Sequence, residues 1–166
     1  MAEKVDPSQK DMDDIKIKEE EIEVLITDGH NAMGPNPSLG MRKFQDALAK
    51  LGELHVLVKI HFSTQSEKFT HVCTKICNVC NLLAMNLLKS DKAAEALNLL
   101  RRSEGLSENN ELGLTMTYNN MACYYRKLGH LRSSLLYLEQ SLEIESRMLD
   151  SSKKAETHLN MCAVLS

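Results

Sequence analysis

A helix-turn-helix pattern that returns along the chain constrains the fold more than any other feature of this sequence. Residues 115–146 form two amphipathic stretches separated by Leu128-Gly129. On the first stretch, large apolar residues recur at spacings of three and four, as on the buried face of a helix. On the second, small and large residues alternate on one face, which lets two helices pack closely. The residues concerned are Tyr118, Met121, Ala122 and Tyr125, followed by Leu131, Ser134, Leu138 and Ser141.

The same pattern occurs twice more. An earlier copy, 38 residues towards the N-terminus, places Cys80, Leu83, Ala84, Leu87, Asp91, Ala93, Ala96, Leu100 and Ser103 at the equivalent positions. A later copy, 40 residues towards the C-terminus, places His158, Met161, Cys162 and Leu165 at the first-helix positions. A single unit of this kind leaves an apolar face that only a neighbouring unit can cover. The pattern therefore predicts units stacked side by side.

This pattern resembles the tetratricopeptide repeat, with Gly129 at the turn and Ser146 where that family often has proline. The spacing near 40 exceeds the usual period of about 34. It is similar to the longer repeats of kinesin light chains, whose first helices carry a similar Asn-Asn-Leu-Ala core. The resemblance implies an all-α fold, a right-handed α-solenoid of stacked helix-turn-helix repeats, with a concave groove that binds a protein or peptide.

The pattern divides the chain into a short tail and one helical domain. Residues 1–12 are acidic and poor in apolar side chains, which predicts a disordered tail. The domain covers 13–166, with a degenerate repeat at about 21–62, repeats at about 67–105 and 112–149, and a partial repeat at 153–166. Because the partial repeat has no second helix, we expect the natural protein to continue beyond Ser166.

Glycines, prolines and capping residues predict where the helices begin and end, and about seven helices are expected. The first helix should start near Asp13 and end near Met33, before the break at Gly34-Pro35. Ser38 is a candidate N-cap for the second helix, which should run to about Phe62. Gly105 is expected to end the fourth helix.

Composition narrows the classes of function. The net charge of −3 is too small to indicate nucleic acid or an anionic membrane surface. No apolar run reaches the roughly 18–20 residues of a membrane span, and the N-terminus lacks the apolar core of a signal peptide. Five cysteines, an odd number, lie in predicted helices, which favours a reducing compartment. We therefore predict a cytoplasmic protein whose partner is a protein or peptide, and no binding to nucleic acid or membrane.

His71, Cys73, Cys77 and Cys80 form a cluster that suggests a metal site. The three cysteines lie at i, i+4 and i+7 on one helix face, and a straight helix cannot surround an ion tetrahedrally. Packing explains them better, because cysteine is a common buried residue. The sequence shows no nucleophile with histidine and acidic partners and no glycine-rich phosphate loop. We predict no enzymatic activity, no cofactor and no metal.

Two functions fit a scaffold of stacked repeats. In the first, the groove holds an extended peptide or a partner helix. In the second, the protein is a structural subunit whose repeat surfaces are permanently covered by other subunits. The candidate groove residues are Asn81, Met85, Lys89, Asn119, Asn120, Cys123, Arg126, Lys127 and Asn160. Their mixture of polar and cationic side chains favours the first function, with a ligand that carries acidic side chains.

Asn120 and Asn160 occupy the same position in successive first helices. Each side-chain amide can donate and accept hydrogen bonds, so the pair can hold the main chain of a bound peptide. The alternative interpretation is that each amide bonds to the neighbouring repeat and holds the scaffold together. The sequence leaves both interpretations open.

Overall fold

The chain folds into helices throughout the part that the structure describes. The computed structural model describes residues 7–107, 110–148 and 152–165. The helices are α1 (Gln9–Met33), α2 (Pro37–His61), α3 (Glu67–Lys89), α4 (Ala93–Leu106), α5 (Glu111–Lys127), α6 (Leu131–Arg147) and α7 (Ser152–Leu165). These ranges contain seven helices and no strand, which confirms the all-α class. The chain forms two compact units, Met1–Val79 (unit 1) and Cys80–Ser166 (unit 2), whose boundary falls within α3.

The start of α1 differs from the predicted one. Ser8 is the N-cap: its hydroxyl accepts a bond of 3.2 Å from the Asp11 backbone, and the Asp11 carboxylate accepts one of 2.9 Å from the Ser8 backbone. This reciprocal pair is a capping box, which fixes the first turn. Residues 9–12 therefore belong to α1 rather than to a disordered tail, and residues 1–6 lie outside the described part.

Two other predicted boundaries are wrong. Asn36, not Ser38, caps α2, because the Asn36 side chain accepts a 3.1 Å backbone bond in the first turn. Pro37 then fits the first helical position, where its missing N–H leaves nothing unsatisfied. Gly105 does not end α4, which continues to Leu106. Glycine inside a helix lowers stability by only about 1 kcal/mol, so it does not by itself end a helix.

Unit 1 is built around the packing of α1 on α2. The two helices run antiparallel, as shown by the order of their ion pairs, Lys18–Glu53 at 2.6 Å, Lys50–Glu21 at 2.6 Å and Lys43–Asp28 at 3.1 Å. Such solvent-exposed ion pairs contribute little to stability, so apolar contact dominates. The helices approach closely at Gly29, where a Cβ would lie 3.0 Å from the fully buried Phe44 ring.

In unit 2 the helices pack in chain order, α4 on α5, α5 on α6 and α6 on α7, and α5 also contacts α7. These contacts fit a stacked array of helix pairs, while the right-handed solenoid stays a prediction. Most of the small and large positions expected to be packed are buried, namely Ala96, Leu100 and Ser103 on α4 and Ser134, Leu138 and Ser141 on α6. Leu131 is an exception, since it is the first residue of α6 and is 46% exposed.

The turns after α3 and α5 adopt the same backbone form. Asp91 has φ of 59° and Gly129 has φ of 77°, both in the left-handed region. In each turn a backbone N–H donates a hydrogen bond to a carbonyl near the end of the preceding helix. These bonds are Lys92 N–H to Leu87 O at 3.0 Å and His130 N–H to Tyr125 O at 2.9 Å. This closure satisfies carbonyls at the helix end. The aligned positions of the two copies therefore correspond in backbone structure.

The contact at Gly29 gives a test of the packing in unit 1. Gly29→Val forces added methyl groups against Phe44, and such overpacking is expected to lower the free energy of unfolding by about 1–3 kcal/mol. The control is Gly105→Ala, because a Cβ at Gly105 meets nothing within 4 Å. That variant should be neutral or up to about 1 kcal/mol more stable. Urea unfolding followed by circular dichroism measures both, and equal stability of the two variants would contradict the packing.

Candidate functional site

A set of four polar side chains occurs twice in unit 2. The first quartet comprises Asn81, Ser103, Thr117 and Asn120, and the second comprises Asn119, Ser141, Thr157 and Asn160. The second asparagine–serine pair lies 38 residues after the first, and the second threonine–asparagine pair lies 40 residues after the first. The repeat predicted from apolar positions is therefore also a repeat of hydrogen bonds.

The geometry of the first quartet centres on the amide of Asn81. Its Nδ2 donates to Ser103 Oγ at 2.8 Å and to Thr117 Oγ1 at 3.0 Å. Its Oδ1 accepts from Asn120 Nδ2 at 2.8 Å. Asn81 is only 2% exposed, so these bonds replace contacts with water. One side chain thus joins α3, α4 and α5.

The second quartet repeats this geometry around Asn119, which is 8% exposed. Its Nδ2 donates to Ser141 Oγ at 2.8 Å and to Thr157 Oγ1 at 2.9 Å, and its Oδ1 accepts from Asn160 Nδ2 at 2.9 Å. The buried Glu145 adds an acceptor, which receives a 2.8 Å bond from Thr157. Asn119 therefore joins α5, α6 and α7.

The structure corrects the expected position of Asn81 and Asn119. Both were expected on the groove surface, but both lie in the interior. Burying an amide lowers the stability of the fold unless its donors and acceptors are hydrogen-bonded, and these two amides are. Their role is to hold neighbouring helices in register. On α7 the equivalent position carries Leu159, which is 71% exposed, so the quartet does not continue from that helix.

Asn120 and Asn160 lie at equivalent positions, as predicted, and both are half-buried. Each donates one amide hydrogen to the buried asparagine of the preceding first helix. The scaffold interpretation thus describes a contact that the structure contains. Within the described ranges no hydrogen bond reaches the Oδ1 atom of either side chain, so each amide keeps an acceptor for a ligand.

Five of the predicted groove residues lie together at one end of unit 2. Met85 and Lys89 come from α3, and Cys123, Arg126 and Lys127 come from α5. With the buried side chain of Leu88 they line a groove of about 460 Å³ that is open to solvent. Apolar side chains thus form part of its wall, together with three cations.

The cations at this groove lie at the C-terminal ends of two helices, where positive charge is favourable because of the helix dipole. Lys127 Nζ donates to the Leu88 carbonyl at the end of α3 and pairs with Asp91 at 2.6 Å. Arg126 Nη1 makes a longer bond of 3.4 Å to the Ala163 carbonyl of α7. The helix dipole alone explains why cations are favourable at these helix ends. Because all three cations line the same groove, they also produce a positive electrostatic potential there.

Cys123 contributes a neutral wall to the groove. Burial raises the pKa of the Cys123 thiol, nearby Arg126 lowers it in part, and Glu156 raises it. The thiol is therefore protonated at neutral pH and behaves as a small apolar group rather than as a nucleophile. The groove therefore combines apolar surface with positive charge.

The cysteines of α3 lie in the interior. Cys73, Cys77 and Cys80 are all at most 6% exposed, and burial raises the pKa of the Cys73 thiol. In the described part of the chain, no three His, Cys, Asp or Glu side chains come together in a way that could hold a metal ion. Among the described helices, none is long and apolar enough to cross a membrane.

Sequence reasoning missed the four hydroxyl residues of the quartets. Ser103 and Ser141 were interpreted only as small packing residues, and Thr117 and Thr157 were not singled out. The signal was present, since both copies have serine at the last second-helix position and threonine three residues before the second asparagine. Hydroxyl residues at equivalent buried positions indicate a conserved hydrogen-bond geometry between copies.

Comparison with protein-family models, curated proteins and solved structures finds no match to the chain.

The first quartet leads to a stability test. Asn81→Ala removes the buried amide that bonds to Ser103, Thr117 and Asn120, while the 2.9 Å contact between Ser103 and Thr117 stays, and should lower the free energy of unfolding by roughly 1–3 kcal/mol. Asn120→Ala removes one half-exposed donor and should cost about 1 kcal/mol or less. The control, Asn98→Ala on the exposed face of α4, should stay within about 0.5 kcal/mol of the parent. Urea unfolding of the three variants measures the order, and a cost for Asn81→Ala no larger than that for Asn98→Ala would disprove the role of the quartet.

Proposed function

We propose that unit 2 is a peptide-binding module, similar to a tetratricopeptide repeat array, that holds an acidic segment of a partner protein in the groove lined by α3 and α5. The observation that carries this proposal is the convergence of Lys89, Arg126 and Lys127 on one groove with apolar walls. In this proposal the protein is a scaffold for protein–protein interaction and no chemical step occurs. A cytoplasmic location belongs to the same proposal.

The composition of the groove supports reversible binding. Met85 is half-buried, and its exposed part offers apolar surface, which favours association with any partner. Cations at the rim raise the local concentration of acidic ligands and increase the association rate. Because the rim is exposed to solvent, each cation contributes modestly, and binding should weaken as salt screens the charges.

The polar quartets support the proposal indirectly. They fix α3 against α5 and α5 against α7 with hydrogen bonds inside unit 2, so the groove side chains are held in place before a ligand arrives. A binding surface that is already ordered loses less entropy on association. The Oδ1 atoms of Asn120 and Asn160 then supply acceptors for main-chain N–H groups of an extended segment.

A structural subunit remains the second candidate, because several large apolar side chains are exposed. On unit 1 these are Ile17, Val24, Val56 and Ile60, and on unit 2 they include Leu159 and Leu165. A permanently covered subunit would associate or precipitate when isolated. Light scattering during gel filtration distinguishes the two candidates, because the peptide-binding proposal expects a soluble protein without obligate partners.

The peptide-binding proposal is tested with an array of random 12-residue peptides. The expected result is that bound peptides are enriched in Asp and Glu and that Lys89→Glu/Arg126→Glu reduces their affinity at least tenfold. This magnitude follows from replacing two attractive contacts by two repulsive ones, each worth roughly 0.5–1 kcal/mol. Calorimetry at low and at moderate salt measures the affinity.

The matched control for this test is Arg101→Glu/Arg102→Glu, which changes the net charge equally on exposed positions of α4. This control should retain most of the affinity, because neither arginine lines the groove. Equal losses in the two double variants would assign the effect to net charge and contradict binding in the groove. An array without any acidic enrichment would contradict the proposal itself.

A further inference from the structure

The turn between α3 and α4 places a carboxylate beside one cation of the groove. Asp91 Oδ1 lies 2.6 Å from Lys127 Nζ, and the same ammonium donates to the Leu88 carbonyl. An ammonium has three donors, so these two contacts leave one for a further acceptor. The Asp91 side chain is 85% exposed, which means that solvent and ligands reach this ion pair.

The backbone at Asp91 indicates that the turn does not itself require an aspartate. Its φ of 59° lies in a region that glycine adopts freely and most other residues avoid. The equivalent turn uses Gly129, with φ of 77°. Aspartate and asparagine tolerate this conformation better than most residues, but glycine would form the turn equally well. What Asp91 adds is a negative charge at Lys127.

The Asp91 charge is present under ordinary conditions. The hydrogen bond and positive charge of Lys127 hold the pKa of the Asp91 carboxyl below its usual range. At neutral pH the carboxylate is therefore ionised and paired. Any acidic group that approaches Lys127 meets a carboxylate already in contact with it.

We infer that Asp91 is an internal competitor for the acidic ligand of the groove. The Asp91 carboxylate marks where an incoming carboxylate contacts Lys127, and the ligand binds there by displacing it. The exchange replaces one exposed ion pair by another, so Lys127 adds little net affinity while Asp91 is present. Asp91 then limits affinity, and Lys89 and Arg126 carry most of the attraction. This inference rests on the proposed function.

The test is a double-mutant cycle in the full chain, with the tightest acidic peptide from the array as the probe. Asp91→Asn keeps a residue that tolerates the turn and removes the charge, and Asp91→Gly installs the residue found at the equivalent turn. Both should increase the affinity about two- to fivefold, the range expected for one exposed ion pair. In a Lys127→Ala background, Asp91→Asn should change nothing. Melting temperatures of all variants verify that the fold is kept.

A second control separates the local contact from long-range charge. Glu95→Gln removes an exposed negative charge from α4 and should leave the affinity unchanged. An increase with Glu95→Gln equal to that with Asp91→Asn, or an increase that persists without Lys127, would overturn the inference. Unchanged affinity in Asp91→Asn would also overturn it, while the proposed function stands if Lys89→Glu/Arg126→Glu still weakens binding. Absence of any acidic peptide from the array would remove both.

Discussion

The buried side-chain amides of Asn81 and Asn119 are the interaction on which unit 2 depends. Each donates to a serine of the next helix and a threonine of the next repeat, and each accepts from a later asparagine. Apolar packing alone tolerates sliding of one helix along another, because it is not directional. Hydrogen bonds inside a core are directional and are expensive to leave unmade, so they select one register. The same register occurs twice.

The groove follows from this register. Asn81 joins α3 to α5 through its bond with Asn120, and side chains from the C-terminal parts of both helices line the same groove. The two halves of unit 2 differ where function is proposed. The first turn has Asp91 beside a cation, whereas the second has Gly129 with open space around it. A common scaffold thus carries one turn with a charge and one without.

The sequence predicted the helices well and the side-chain environments less well. Helical periodicity and breaks at glycine and proline located α5, α6 and the turn at Gly129, because these signals are local. They did not decide between Asn119 and Asn120, which are adjacent on one helix. Which of the two is buried depends on where α6 and α7 approach, and that is a property of tertiary packing. The predicted position of Asn81 on the groove surface was wrong for the same reason. Lys89, Arg126 and Lys127 were predicted to line one groove and do so, because side chains at helix ends are exposed to solvent.

A methyl spectrum of the protein labelled at methionine tests the central claim most directly. Met85 lies in the groove, and Met121 lies on the neighbouring helix with 1% exposure. As an acidic peptide from the array is added, the Met85 methyl resonance should shift and saturate, while that of Met121 should stay fixed because the quartets hold the helices in register. A peptide that binds without moving Met85, and shifts Met41 of unit 1 instead, would contradict a binding groove between α3 and α5.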